Sequence, residues 1–133
     1  MRRLWFKRRA RLLWAAALIC LVFGIPSGSA AFKGCTIVGT SGPDAILGTG
    51  KNDVICGRGG GDLISGAGGH DIIRGGPGND RIEGGFGGDK LYGGYGDDYI
   101  NARDGLSDYV DGGPGHDTAS REGIDKLVSI EGP

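Results

Sequence analysis

Aspartate recurs at a fixed interval along this chain. Asp44, Asp53, Asp62, Asp71, Asp80, Asp89 and Asp98 are spaced by nine residues. Each closes a hexapeptide opened by glycine: Gly39, Gly48, Gly57, Gly66, Gly75, Gly84 and Gly93. In six of the seven blocks another glycine stands three places after the first, Lys51 being the exception. Ile or Leu stands two places after every one of these aspartates. After a slip of one residue, Asp108 and Asp117 extend the series. Neither His nor Cys recurs with the carboxylates, so the repeated donors are hard oxygens. Such a set suits Ca²⁺, which accepts many carboxylate and carbonyl oxygens in a flexible shell. Mg²⁺ demands a tight octahedron with several waters, and Zn²⁺ or copper favours nitrogen and sulfur.

The rest of the nonapeptide must position those carboxylates. Glycine at positions 1, 2 and 4 reads as a turn with unusual φ/ψ and close backbone approach. Positions 7 to 9 read as a three-residue strand. Position 8 is reliably large and apolar (Ile46, Ile55, Ile64, Ile73, Ile82, Leu91, Ile100) and therefore points inward. Its neighbours vary and point outward, as at Arg74, Arg81, Glu83, Lys90 and Asn101. One inward residue per strand predicts an all-β fold, a thin two-layered β-solenoid with two nonapeptides per turn. Its strands would pair in parallel about 4.8 Å apart. Alternate aspartates then stack, Asp44, Asp62, Asp80 and Asp98 on one edge and Asp53, Asp71 and Asp89 on the other. Two unit charges about 5 Å apart repel by about 3 kcal/mol at an effective dielectric of 20. A cation in each gap relieves this, which gives about five interior Ca²⁺ sites for those two columns.

The blocks resemble the RTX, or haemolysin-type, calcium-binding nonapeptide repeat G-G-x-G-x-D-x-U-x, where U is large and apolar. Gly75–Glu83 and Gly93–Asn101 fit it best. The resemblance covers 39–101 tightly and 102–120 loosely. It implies a right-handed parallel β-roll with Ca²⁺ between successive turns. The metal ligands it implies are the carboxylates of Asp44, Asp53, Asp62, Asp71, Asp80, Asp89, Asp98, Asp108 and Asp117. They are joined by the turn carbonyls of Gly76, Gly78, Gly85, Gly87, Gly94 and Gly96. Some positions depart from the pattern. Position 2 holds Thr40, Thr49, Arg58 and Ala67, and Lys51 stands where glycine belongs, beside an implied site. The segment 102–111 is ten residues long, which reads as a one-residue bulge. Residues 31–38 and 121–133 are expected to cap the two ends.

Composition agrees with this architecture. Thirty of the 133 residues are Gly. That weakens helices and ordinary cores, and scarce Pro without a three-residue period excludes collagen. Six basic residues within 2–11, an apolar run over 12–25 and small residues near Ala30 read as a secretory signal peptide over 1–30. The run is short for a bilayer span. Arg2-Arg3 also fits a loose twin-arginine pattern. Beyond the leader, nine basic and sixteen acidic residues leave a net charge of about −7. That surface suits cations and excludes nucleic acid as a partner. The expected product is secreted, keeps no membrane contact after leader removal, and has calcium ions as its partner. No protein or glycan partner is readable.

Cys35 and Cys56 remain in an oxidising compartment and read as a disulfide, with two buried thiols as the alternative. A disulfide there would be worth about 3 kcal/mol in the chain-entropy model. No dinucleotide fingerprint, phosphate loop or EF-hand loop occurs. His70 and His116 lie in variable turn positions without a nucleophile, so no enzymatic role is expected. Phe86, Tyr92, Tyr95, Tyr99 and Tyr109 could line a ligand strip, but packing and turn shielding are the better reading. An ice-binding solenoid would need ranks of Thr, whereas the outward positions are mixed.

Overall fold

The computed structural model describes residues 34–130. The signal peptide expected over 1–30 lies outside the described residues, as do 31–33 of the expected N-terminal cap. Among the described residues there are eleven strands and no helix. They are β1 (Ile37–Val38), β2 (Ala45–Leu47), β3 (Val54–Cys56), β4 (Leu63–Ser65), β5 (Ile72–Pro77) and β6 (Arg81–Glu83). The series continues with β7 (Lys90–Tyr95), β8 (Tyr99–Ala102), β9 (Tyr109–Asp111), β10 (Thr118–Arg121) and β11 (Lys126–Val128).

Odd strands form one sheet in the order β1-β3-β5-β7-β9-β11, and even strands form the other, β2-β4-β6-β8-β10. Every pairing is parallel. Each nonapeptide contributes one strand, and successive strands alternate between sheets, so the chain winds as a parallel β-roll with two nonapeptides per turn. The register sets like on like: Ile55 faces Ile73, and Ile64 faces Ile82. The extra residue of the ten-residue segment leaves the strands intact. Leu91 still pairs with Val110, and Val110 with Leu127. The insertion sits in the turn between β8 and β9.

Two features exceed the expectation of three-residue strands bounded by caps. β5 and β7 run six residues, because their glycine turns stack and pairing continues through Gly76↔Gly94 and Pro77↔Tyr95. β1 and β11 arise from segments expected only as caps, yet each joins a sheet. Cys35 is bonded to Cys56 as a disulfide. This ties the chain before β1 to the end of β3, where β1 has its sole strand partner in the sheet.

The core is one side chain thick. Ile55, Ile64, Ile73, Ile82, Leu91, Ile100 and Val110 have no exposed surface, and Ala102 joins them. Ile37, Ile46, Ala119, Leu127 and Ile130 pack against this column and are partly buried. The flanking positions face outward, so Leu63, beside fully buried Ile64, is 55% exposed. Burying each large apolar side chain contributes roughly 1.5–3 kcal/mol. Ile82→Ala should therefore destabilise the fold by about 3 kcal/mol. Leu63→Ala should cost below about 0.5 kcal/mol. Denaturant unfolding of both variants checks this, and equal losses would contradict a single-file core.

Candidate metal centre

Each strand from β2 to β11 is preceded by an aspartate, and from Asp62 onward each carboxylate reaches back one full turn. The Asp44 N–H donates to Asp62 Oδ1 at 2.9 Å, Asp62 N–H to Asp80 Oδ1 at 2.8 Å, and Asp80 N–H to Asp98 Oδ1 at 2.7 Å. Asp98 N–H donates to Asp117 Oδ1 at 2.9 Å. On the opposite edge the same bond runs Asp53 to Asp71, Asp71 to Asp89 and Asp89 to Asp108, each at 2.8 Å. Asp108 then donates to Asp125 Oδ1 at 3.1 Å. The columns expected from the sequence are thus continuous ladders, and Asp108 and Asp117 fall in line despite the slipped phase. Asp125 is a rung that the nine-residue spacing missed, because it follows Asp117 by only eight residues.

Each ladder bond uses one carboxylate oxygen and leaves the other. Oδ2 of Asp62, Asp71, Asp80, Asp89, Asp98 and Asp108 is buried and has no hydrogen-bond partner. These residues are at most 3% exposed. A buried polar atom left unsatisfied costs roughly 1–3 kcal/mol, and more when charged. Six of them rival the whole net stability of a small domain, about 5–15 kcal/mol. Burial accordingly pushes the carboxyls of Asp62, Asp71, Asp80 and Asp89 above the usual carboxylate range. Asp98 and Asp108 are pushed up to about 6, by burial first and then by neighbouring carboxylates, against the opposing ladder bond.

Backbone carbonyls lie near several of these atoms. This closes position 1 to a side chain in most of the nonapeptide turns: a Cβ on Gly84 would lie 2.6 Å from Asp89 Oδ2. On Gly57 it would meet both Asp62 Oδ2 and the Gly75 carbonyl of the next turn. The carbonyls of Gly76 and Gly78 abut Gly94 and Gly96 of the turn above, and those of Gly94 and Gly96 abut Gly113 and Gly115. Four of the six carbonyls implied by the resemblance therefore face the gap between turns. At Gly85 and Gly87 the turn above is the ten-residue one, and the Asp104 carboxylate accepts the Gly87 N–H at 2.7 Å. No three His, Cys, Asp or Glu side chains converge among the described residues. A cation there would need backbone carbonyls beside the carboxylate, and the stacked turns supply that hard-oxygen set. The residues present fit Ca²⁺.

The turns are of two kinds. In the third to seventh blocks positions 2 and 4 have positive φ, including the non-glycines Arg58 (φ 85) and Ala67 (φ 74). In the first two blocks Thr40, Gly42, Thr49 and Lys51 do not. Lys51, the exception to the glycine column, thus occupies a turn that does not require a left-handed residue. In these turns Oδ2 is taken by the protein. Thr40 N–H and Oγ1 donate to Asp44 Oδ2 at 2.5 and 3.0 Å, and Thr49 N–H and Oγ1 to Asp53 Oδ2 at 2.8 and 2.7 Å. The Thr49 hydroxyl, aided by its N–H, holds the Asp53 carboxyl below the usual range.

A second ladder was not legible as a pattern. Asn52 Oδ1 accepts His70 N–H, and His70 Nδ1 accepts Gly88 N–H. Asn79 Oδ1 accepts Asp97 N–H, and Asp97 Oδ1 accepts His116 N–H. The variable fifth position therefore secures the outer rim of the turns. The aromatic residues do not form one strip. Tyr92 and Tyr109 lie 5.7 Å apart on the odd-strand sheet, near Arg74 and Lys126. Tyr99 lies under Arg81 on the even-strand sheet, and Phe86 and Tyr95 stand exposed at the turns.

Two outcomes follow. Folded carboxyls titrating near 6 bind protons that the unfolded chain, titrating near 4, has released. In chelator, the metal-free fold should therefore gain stability as pH falls from 7 to 4.5 and lose it as pH rises through about 6. The β signal in chelator at the two pH values measures this, and a metal-free chain more folded at pH 7 than at pH 4.5 would contradict it. Ala67→Gly should stabilise the chain by about 0.5–1 kcal/mol, because a left-handed alanine is strained by about 1–2 kcal/mol. Thermal melts test this, and a loss would show that the residue is not strained.

Comparison with curated proteins and with solved structures finds no match. Residues 38–73, 74–106 and 107–119 match the family described as RTX calcium-binding nonapeptide repeat, in 4 copies. These spans take in more than half of the chain, both aspartate ladders down to Asp117, and every glycine turn described above. With its repeat, its roll and its oxygen-lined gaps in agreement, the chain belongs to the RTX calcium-binding nonapeptide repeat family.

Proposed function

We propose that this protein is an extracellular, non-catalytic calcium module that folds when ions fill the gaps between its stacked turns. The row of buried, unpartnered Asp Oδ2 atoms carries this reading. Bound calcium supplies the positive charge and the ligand field that these oxygens lack. The chain's own part is to hold them in line: the ladder bonds fix each carboxylate, and position-1 glycine keeps the space beside it open. Family membership supports calcium as the ion. The sequence of 1–30, read as a leader, supports export before folding. The His70 ring takes a rim bond from the Gly88 N–H, which supports a structural role for that residue.

Without calcium, glycine entropy and buried carboxylate charge oppose folding at neutral pH. With calcium, binding free energy becomes folding free energy. Extracellular modules bind at about 10⁻⁴–10⁻³ M, so folding would wait for the outside of the cell. Circular dichroism of the protein at pH 7 during calcium titration tests this. A cooperative gain of β signal is expected, reversed by chelator and not reproduced by Mg²⁺ at equal concentration. A β signal indifferent to chelator at pH 7 would overturn the reading.

A further inference from the structure

Ten aspartates occupy the two ladders, but they do not stand in one environment. At the amino-terminal end, Asp44 and Asp53 have no aspartate turn beneath them. A cation there would find a coordinating turn on one side only. Thr40 and Thr49 fill this deficit, each with a backbone N–H and a hydroxyl on the oxygen that is orphaned elsewhere. Thr36 Oγ1 adds a bond to Asp53 Oδ1 at 3.3 Å. At the other end Asp125 does have a turn beneath it, and Asp108 N–H takes its Oδ1. Its own turn is one residue short, however, and brings the Glu122 N–H to 2.8 Å from Oδ2.

Backbone conformation separates the same turns independently. Positions 2 and 4 are left-handed in the turns before Asp62, Asp71, Asp80, Asp89 and Asp98, and not left-handed at Thr40, Gly42, Thr49 and Lys51; in the ten-residue turn before Asp108 only Gly105 is left-handed. The conformation that stacks turn carbonyls toward the next turn is therefore missing where the carboxylate is already satisfied. Two non-glycines, Arg58 and Ala67, accept left-handed strain to keep it in interior turns.

We infer that the carboxylates at three of the four ladder ends, Asp44, Asp53 and Asp125, are not calcium ligands. Donors of their own turns close them, and metal demand is confined to the interior rungs Asp62, Asp71, Asp80, Asp89, Asp98 and Asp108. Thr40 and Thr49 are the positioning residues of a metal-independent first turn, which the Cys35–Cys56 bond fastens to the sheet. This inference rests on the calcium reading proposed above.

The test compares end and interior variants of the full chain by calorimetric calcium stoichiometry and by calcium-dependent circular dichroism. Asn keeps an acceptor of the same shape for the Thr donors at positions 44 and 53; at 125, where both oxygens accept an N–H, it keeps one of the two bonds. Asp44→Asn, Asp53→Asn and Asp125→Asn should each bind as many ions as the parent, with midpoints within about twofold, and should reach the same β spectrum in calcium. Asp80→Asn and Asp98→Asn should bind fewer ions or raise the midpoint by about tenfold or more. An end variant that loses an ion, or no longer folds in calcium, overturns the inference while leaving the calcium reading intact. Interior variants indistinguishable from the parent also overturn it. A parent that binds no calcium overturns the reading beneath it.

Discussion

The bond from each aspartate N–H to the carboxylate one turn later is the constraint on which this structure turns. It repeats along both edges, from Asp44 to Asp117 and from Asp53 to Asp125. It satisfies a buried backbone donor, which a tightly wound strand entry must do. In doing so it fixes the carboxylate in one orientation and aims the second oxygen into its own glycine turn. In the nonapeptide turns position 1 is then closed to a side chain, because Oδ2, a neighbouring carbonyl or both occupy the place of a Cβ. Two residues further on, the same entry points Ile or Leu into the core. Glycine, aspartate and the inward apolar residue are thus consequences of one hydrogen bond and the space it leaves.

The core cannot settle stability by itself. It is a single file of side chains, open at both ends where Ile37, Ile46, Leu127 and Ile130 are only partly covered. A core so thin buries few apolar groups for each residue ordered, and many of the ordered residues are glycines, which lose the most freedom on folding. Against this stand buried carboxylates whose burial raises their proton affinity. Neutralising them by proton or by cation serves the same electrostatic need. Only a cation also gathers the carbonyls of adjacent turns, and only a cation remains available at neutral pH.

Much of this was legible in the residues. The nine-residue period, the two aspartate columns and the inward position 8 follow from spacing alone, because a solenoid turns sequence periodicity directly into stacking. The glycine column predicted close approach without naming the atom approached, which is Oδ2. What spacing could not show is who satisfies whom. The ladder bond has a backbone donor, which no side-chain pattern reports. Thr40 and Thr49 looked like imperfect copies of glycine, yet they are the donors that close Asp44 and Asp53. Lys51 looked like a defect beside a site, and its turn has a different backbone. Asp125 was hidden because its turn is short, and the rim ladder of Asn52, His70, Asn79 and Asp97 uses residue types that also occur in ordinary turns.

The slipped phase shows which part of the repeat is rigid. Between Asp89 and Asp108 the ladder spans nineteen residues, and between Asp108 and Asp125 it spans seventeen. One turn has gained a residue and the next has lost one, so two turns together keep the length of four nonapeptides. The strands and ladder bonds hold register throughout: Lys90 pairs with Tyr109, and Tyr109 with Lys126. An insertion within a strand would have flipped every following side chain from core to solvent. Placed in the turn at Arg103–Ser107, it instead displaces a glycine carbonyl stack, and Asp104 steps in to bond the Gly87 N–H. Variation is therefore admitted where a side chain can replace a missing backbone contact. It is excluded where the aspartate ladder and the inward column fix the chain together.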